Sequence, residues 1–426
     1  MQINLAYGKE GLPLEVDRTW NAQVVQPKFL PGLPDPKIAL LDALRSPIAS
    51  IPLRQLASPD DRVGIIINDK TRATPTKIIL EAILAELSFM RSENIIIFIA
   101  LGTHQTSSLI ELKELVGETI YNAYRIVQNN SFDRETQVLI GKSSFGNEIW
   151  LNRELMDCSL KILTGFIEPH LFAGFSGGGK AIMPGMAGLQ TILGNHSPKN
   201  ISNINAVFGV TRGNPIWEEI FEISQKTGKN FLVNVALNKH KAITGVFAGD
   251  LEHAHAQGCK FVKETAMSAV DDRFDIVVTT NSGYPLDLNL YQSVKGLSAA
   301  APVTKKGGSI ILVSECSEGI PEHGMYGSLL KRTGNPQAML DLILQPGFQE
   351  QDMWQAQIQA QIQLGCDVYV HSRGLSDDQI RSAMLIPARS VEETVNRLIG
   401  RYGTDARICI LPEGPVTIPY LSKNQL

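Results

Sequence analysis

The chain has 426 residues with 39 basic and 43 acidic side chains, a formal net charge of −4 and 43% hydrophobic content, the balance of an ordinary soluble globular protein. At one to two hundred residues per domain, this length predicts two or three domains, each able to bury a core. No basic excess points to nucleic acid, and the longest apolar runs, such as 95–101, fall far short of the roughly 20 residues of a membrane span.

Taken in chain order, the opening MQINLAYGKEGLPLEV lacks the basic and then apolar pattern of a secretory leader. Residues 21–41, with Pro27, Pro31, Pro34 and Pro36, read as extended. Short apolar runs rich in β-branched residues then alternate with stretches of helical spacing. This predicts an α/β fold of two α/β domains with mainly parallel sheets. Strands are expected at 63–67, 95–101, 160–163, 231–237, 276–279, 309–313, 368–370 and 408–411. Most are continuous apolar runs, as strands covered on both faces should be. Over 75–89, Ile78, Ile79, Ala82, Ile83 and Leu87 fall near helical spacing and predict a core-facing helix. A helix over 253–267 and a polar turn at 270–273 precede a fresh strand. The boundary is expected there, with residues 1–270 as a cofactor-binding catalytic domain. Residues 271–426 would form a second domain contributing substrate contacts across an active-site cleft. The run 355–363 (QAQIQAQIQ) reads as one amphipathic helix. Cys158, Cys259, Cys316, Cys366 and Cys409 are odd in number and form no CxxC pair, so they signal neither a disulfide framework nor a zinc site. A cytoplasmic protein with reduced thiols is the expectation.

Loops at the carboxyl ends of parallel strands carry much of the function of such folds, and three stand out here. The first reads Asn68-Asp69-Lys70-Thr71-Arg72-Ala73-Thr74-Pro75. Thr74 capping a helix that starts at Pro75 explains two of these residues. It leaves Asp69 and Arg72 unexplained, and an arginine fork suits a carboxylate or phosphate. The second, Gly102-Thr103-His104-Gln105-Thr106, offers a histidine as a general acid or base, against the commoner structural use of a lone histidine. The third, GFIEPHLFAGFSGGGK over 165–180, holds five glycines, whose backbones must serve unusual dihedrals or the close approach of a ligand. From Gly174 to Lys180 it matches the GxxxxGK of a phosphate loop, but Ala181 stands where a Ser or Thr should hold magnesium and Pro184 follows soon after. Downstream, Gly194-Asn195-His196-Ser197 adds a histidine. Gln292 and Lys295 share a helical face at i, i+3, a pairing that commonly belongs to a solvated surface.

Together these segments resemble the nickel-dependent lactate racemase family, whose members carry a nickel-pincer nucleotide. The resemblance runs through DKTR at 69–72, GTH at 102–104, GFIEPHLFAGFSGGGK at 165–180, NHS at 195–197, FAGD at 247–250 and GYPLDLNLYQSVKG at 283–296, nearly the whole chain. It implies that Lys180 is the amine that joins the cofactor as a thioamide and that His196 is the protein ligand to nickel. One imidazole added to a sulfur–carbon–sulfur pincer completes a square plane natural to nickel. It further implies His104 and His170 as the acid/base pair and Asp69, Thr71 and Arg72 as parts of the cofactor site. Tyr291, Gln292, Lys295 and Trp354 would be substrate contacts, with Lys295 and Arg72 countering the carboxylate. The implied reaction is racemisation or epimerisation of a 2-hydroxy acid by reversible hydride transfer through a 2-keto acid. Hydride loss avoids a carbanion beside a carboxylate, and the cofactor carries the difficult chemistry. The implied partners are the small-molecule acid and the enzymes that mature the cofactor.

The chain also departs from the family pattern: Lys70 stands where a histidine is expected, Gly179 where an arginine is expected, and the loop 314–319 (SECSEG) differs. The resemblance therefore leaves the acid open among lactate and longer, branched, aromatic, dicarboxylic or sugar acids. Two other readings remain: a kinase or NTPase built on Gly174 to Lys180, and a family member that binds or carries cofactor without catalysis.

Overall fold

The computed structural model describes residues 1–322 and 324–422 and divides into two compact units. One comprises residues 29–196 and 203–263; the other comprises residues 1–28, 197–202 and the chain from 264 onward. Residues 1–28 and 197–202, which the sequence places before the expected boundary near 270, thus lie in the C-terminal unit.

The N-terminal unit is built on a six-stranded sheet in the order Ile243–Gly249, Lys229–Leu237, Leu160–Phe166, Val63–Asn68, Ile95–Ala100, Arg125–Gln128. All neighbours are parallel except the first pair. Alternation along the strands sends Ile65, Ile67, Ile97, Ile99, Ile162 and Val233 into one fully buried layer, while Ile66, Phe98, Leu163 and Leu232 are fully buried on the opposite face. That two-sided burial is why these strands read as unbroken apolar runs. The helices Pro36–Arg45 and Thr76–Glu86 pack Leu40, Leu44, Ile79, Leu80 and Ile83 onto the first face.

The C-terminal unit has a second six-stranded sheet, wholly parallel, in the order Ile386–Pro387, Asp367–His371, Thr304–Val313, Phe274–Thr280, Arg407–Leu411, Asn21–Val24. All eight expected strands are present. The structure adds strands that are short, polar or at an edge, where no apolar run announces them. These include the hairpin Gln2–Leu5 with Leu12–Glu15, the edge strands Asn21–Val24 and Arg125–Gln128, and the hairpin Gln137–Lys142 with Glu148–Asn152. The segment expected to be extended over 21–41 turns helical at Pro36, because Asp35 accepts a hydrogen bond from the Ile38 amide and proline opens the first turn. Thr74 does not cap the next helix. Its hydroxyl donates to Asn68 Oδ1 at 2.7 Å, and the helix begins at Thr76 after Pro75 without a side-chain cap.

The first residues are therefore part of the C-terminal core. Trp20 is buried beside Ile408 and Val395, with its indole N–H donating to Asn396 Oδ1 at 2.9 Å. Trp20→Ala should destabilise that unit by about 3–5 kcal/mol through the cavity and the orphaned amide. Urea unfolding checks this, and an unchanged transition would contradict it.

Candidate active site

Three adjacent parallel strands, Leu160–Phe166, Val63–Asn68 and Ile95–Ala100, end on the same edge of the N-terminal sheet. Their loops carry Asp69 to Arg72, Gly102 to His104 and the glycine-rich segment. The Gly102 amide donates to the Gly185 carbonyl at 3.1 Å and ties the second loop to the end of the third. Gly102 has φ +56, a conformation that a side chain would strain.

The first two loops meet through a carboxylate. Asp69, buried, places Oδ2 2.5 Å from His104 Nδ1, while its Oδ1 accepts the Thr71 amide at 2.9 Å and the Thr71 hydroxyl at 2.5 Å. An ionised carboxylate only accepts, so the His104 Nδ1 bears the hydrogen, and in the neutral ring Nε2 is left with its lone pair. Burial alone would raise the Asp69 carboxyl. The His104 hydrogen bond and charge, the Arg72 guanidinium and the Thr71 hydroxyl together outweigh it, and the group is held at about 2. Asp69, expected with Thr71 and Arg72 around a cofactor, is thus joined to His104, while Thr71 and the Arg72 charge act on Asp69. Lys70 turns outward to pair with Glu111.

In the third loop, Pro169–His170 pairs antiparallel with Gly174–Phe175, folding the chain back over Phe172. The glycines there meet protein, not open space. A Cβ on Gly174 would lie 2.1 Å from the Val210 carbonyl oxygen, and one on Gly179 would lie 2.4 Å from Ser224 Oγ. The amides are used in the same way. Phe175 N donates to Ala173 O, Ser176 N to Glu168 O, Gly178 N to Asn234 Oδ1 and Lys180 N to Gly177 O. His255 donates from Nε2 to the Ser176 carbonyl at 3.0 Å, its imidazole kept from charging by burial. A phosphate loop needs open amides and a helix starting at its lysine. Here residues 178–181 form one 3₁₀ turn and the amides of Phe175, Ser176, Gly178 and Lys180 are committed, which argues against the kinase or NTPase reading.

That packing gathers four side chains. Lys180 Nζ lies 3.1 Å from His170 Nε2 and 5.8 Å from the centroid of the Phe172 ring, whose edge contacts put its centroid 4.6 Å from that of His170 and 4.9 Å from that of His196. His170 Nδ1 accepts the Ala173 amide at 3.2 Å, while the charged Lys180 amine, a donor only, faces Nε2. His196, the residue after the helix Leu189–Asn195, is buried with Nδ1 2.8 Å from Asn195 Oδ1. Burial first, and the Lys180 charge second, hold its pKa down at about 3, so the ring is neutral across the physiological range. A neutral imidazole is the form that ligates a metal. Among the described residues no three His, Cys, Asp or Glu side chains converge as a metal site.

In the C-terminal unit, Gln292 and Lys295 lie half-buried on the helix Leu290–Ala300, capped by Asn289. Tyr291 accepts the Trp354 indole N–H at 3.3 Å on its hydroxyl and the Gln355 amide at 2.8 Å on its carbonyl. Phe172, Asn195, Asn234 and His255 take part in the arrangement without having been singled out by sequence. Asn195 and Phe172 lie inside conspicuous motifs, whereas nothing local marks Asn234 or His255.

The acid side of the stability curve reads the Asp69 contacts. A carboxyl lowered from 3.8 to about 2 contributes stability that is complete above about pH 5 and lost as the pH falls through 4 toward 2. Asp69→Asn should abolish that dependence, worth about 2 kcal/mol. Denaturant titrations of both proteins from pH 2 to 7 should show curves that converge at the acid end; parallel curves would contradict it.

A model of the lactate racemase N-terminal domain matches residues 7–209, and a model of the lactate racemase C-terminal domain matches 270–418. The lactate racemase of Thermoanaerobacterium thermosaccharolyticum is 36% identical over 375 residues, covering 87% of this chain and 88% of that one. That of Lactiplantibacillus plantarum is 37% identical over 376 residues, with the same coverage. The solved lactate racemase apoprotein from T. thermosaccharolyticum superposes with a TM-score of 0.90 at 33% identity, covering 98% of this chain and 100% of that one. A Thermotoga maritima structure shares the fold, with a TM-score of 0.69 at 18% identity over 92% of this chain and 100% of that one.

Proposed function

This chain belongs to the lactate racemase family, a family of isomerases, and from that premise we propose that it interconverts the enantiomers of lactate or a related 2-hydroxy acid. The observation that carries the reading is the cluster of Lys180 against His170, with Phe172 between His170 and the neutral buried His196, on a loop that is tied to the one bearing the Asp69-held His104.

The resident cofactor in this reading is a nickel-pincer nucleotide, and the residues fit it. His196 is a neutral donor with Nδ1 already engaged, and Lys180, beside His170 and near enough for its charge to act on His196, offers an amine for covalent attachment. A cofactor that brings its own sulfur and carbon donors needs a single protein ligand. When bound, it supplies a hydride acceptor and donor for the substrate α-carbon.

The chain's own residues do the rest. His104 takes the hydroxyl proton on Nε2, and Asp69 stabilises the imidazolium that results, the role of an orienting carboxylate behind a catalytic histidine. His170 is assigned as the acid partner in its imidazolium form: it delivers the Nε2 proton to the substrate oxygen and returns to the neutral ring, so that His104 ends protonated and His170 neutral. An enantiomer of the opposite hand, anchored by the same carboxylate, directs its hydroxyl elsewhere and exchanges the two roles. Arg72 and Lys295 are assigned to the carboxylate, and Tyr291, Gln292 and Trp354 to the substrate body. Substitution of either histidine by alanine should lower kcat about 10²–10⁴-fold, measured on a panel of enantiopure 2-hydroxy acids. Natively matured protein should carry close to one nickel per active chain and a mass adduct on the peptide containing Lys180. An active, metal-free preparation with unmodified Lys180 would refute the reading.

A further inference from the structure

One fully buried carboxylate has no part in the chemistry above. Glu219, on the helix Pro215–Lys226, has no solvent exposure, and a buried carboxylate must be hydrogen-bonded to persist. Three donors converge on it. The Ser143 hydroxyl and Asn147 Nδ2 reach Oε1 at 2.5 and 2.8 Å, and Asn195 Nδ2 reaches Oε2 at 2.9 Å. Ser143 and Asn147 close the turn of the hairpin Gln137–Lys142 with Glu148–Asn152. Gly194 belongs to the same arrangement, because a Cβ there would sit 2.7 Å from Asn147 Cγ. Two residues before His196 the chain is glycine where Asn147 must pass.

Asn195 connects this cluster to His196. The oxygen and nitrogen of an amide are interchangeable in shape, and only their partners decide which is which. Here Nδ2 donates to Glu219 Oε2 and to the Ile216 carbonyl at 3.2 Å, two groups that can only accept. The flipped amide would set its oxygen against both. Oδ1 therefore faces His196 Nδ1 at 2.8 Å. An amide oxygen cannot donate, so Nδ1 carries the hydrogen and Nε2 keeps its lone pair. We propose that Glu219 and Asn195 are positioning residues that lock His196 in the Nδ1–H tautomer, making Nε2 its metal-donor nitrogen. Metal-bound histidines commonly have their second nitrogen held by an acceptor in this way. This inference rests on the assignment of His196 as the nickel ligand.

The test uses protein labelled with ¹⁵N-histidine and long-range ¹H–¹⁵N spectra, which distinguish imidazole tautomers without cofactor. Loss of a signal in His196→Gln assigns the resonance. Wild type should show Nδ1–H, and Glu219→Gln should keep it, because a glutamine oxygen still accepts from Asn195. Asn195→Leu and Glu219→Leu should move His196 toward Nε2–H. Asn195→Leu leaves the Ser143–Asn147 clamp on Glu219 in place, so the prediction can be read even if Glu219→Leu does not fold. An Nε2–H wild type, or an Asn195→Leu protein that keeps Nδ1–H, overturns the lock. On natively matured protein, nickel retention against a chelator should weaken about 10–100-fold in Asn195→Leu and much less in Glu219→Gln. Unaltered retention beside a shifted tautomer overturns the link to the metal. Nickel absent from matured wild type overturns the parent reading of His196, while the tautomer spectra decide the lock separately.

Discussion

Between Gly165 and Gly185 the chain leaves a central strand and crosses the carboxyl edge of its sheet with the backbone pressed against other elements. At Gly174 and Gly179 any side chain would collide with Val210 or Ser224, and the amides of Ser176 and Gly178 are used by Glu168 and Asn234. Buried amides must find acceptors, and here the protein supplies them. The position of Lys180, of the His170 hairpin and, through Gly185, of the His104 loop follows from that packing. The same density of glycine that suggests a ligand cradle in the sequence instead makes a rigid wall on which the functional side chains are mounted.

Three histidines acquire different chemistry from what faces one ring nitrogen. His104 Nδ1 meets the Asp69 carboxylate, His170 Nδ1 meets a backbone N–H, and His196 Nδ1 meets an amide oxygen. The first arrangement favours a proton acceptor at Nε2 that can hold positive charge. The second leaves Nε2 to face the Lys180 amine, and the third favours a neutral lone pair in a buried place where charge is disfavoured. The residue type alone does not divide these roles. Their neighbours do: Asp69 comes from a loop 35 positions away, Ala173 and Asn195 from the adjoining chain, and Asn195 is itself held by Glu219 from another helix.

Both sheets were legible because strands covered on two faces must be apolar throughout, as Ile65 to Ile67 and Ile310 to Val313 are. The edge strands were not, because Asn21 to Val24 and Arg125 to Gln128 bury little and carry polar residues. Thr74 beside Pro75 has the local chemistry of a helix cap, yet Asn68 takes its hydroxyl. The GxxxxGK match likewise has the spacing of a phosphate loop but not its open amides. In each case a local pattern lost to a tertiary partner.

What the sequence determined by itself was the set of elements with strong periodicity and the family, since long ordered motifs such as 165–180 and 283–296 survive only as a unit. It also placed the candidate residues at strand ends, where parallel sheets expose their loops. The tertiary structure decided which of those residues touch, that residues 1–28 complete the C-terminal sheet, and how each imidazole is held. Periodicity reports how one residue meets solvent or core, whereas a hydrogen bond such as that from Asn195 to Glu219 joins residues 24 positions apart, a relation that no local pattern encodes.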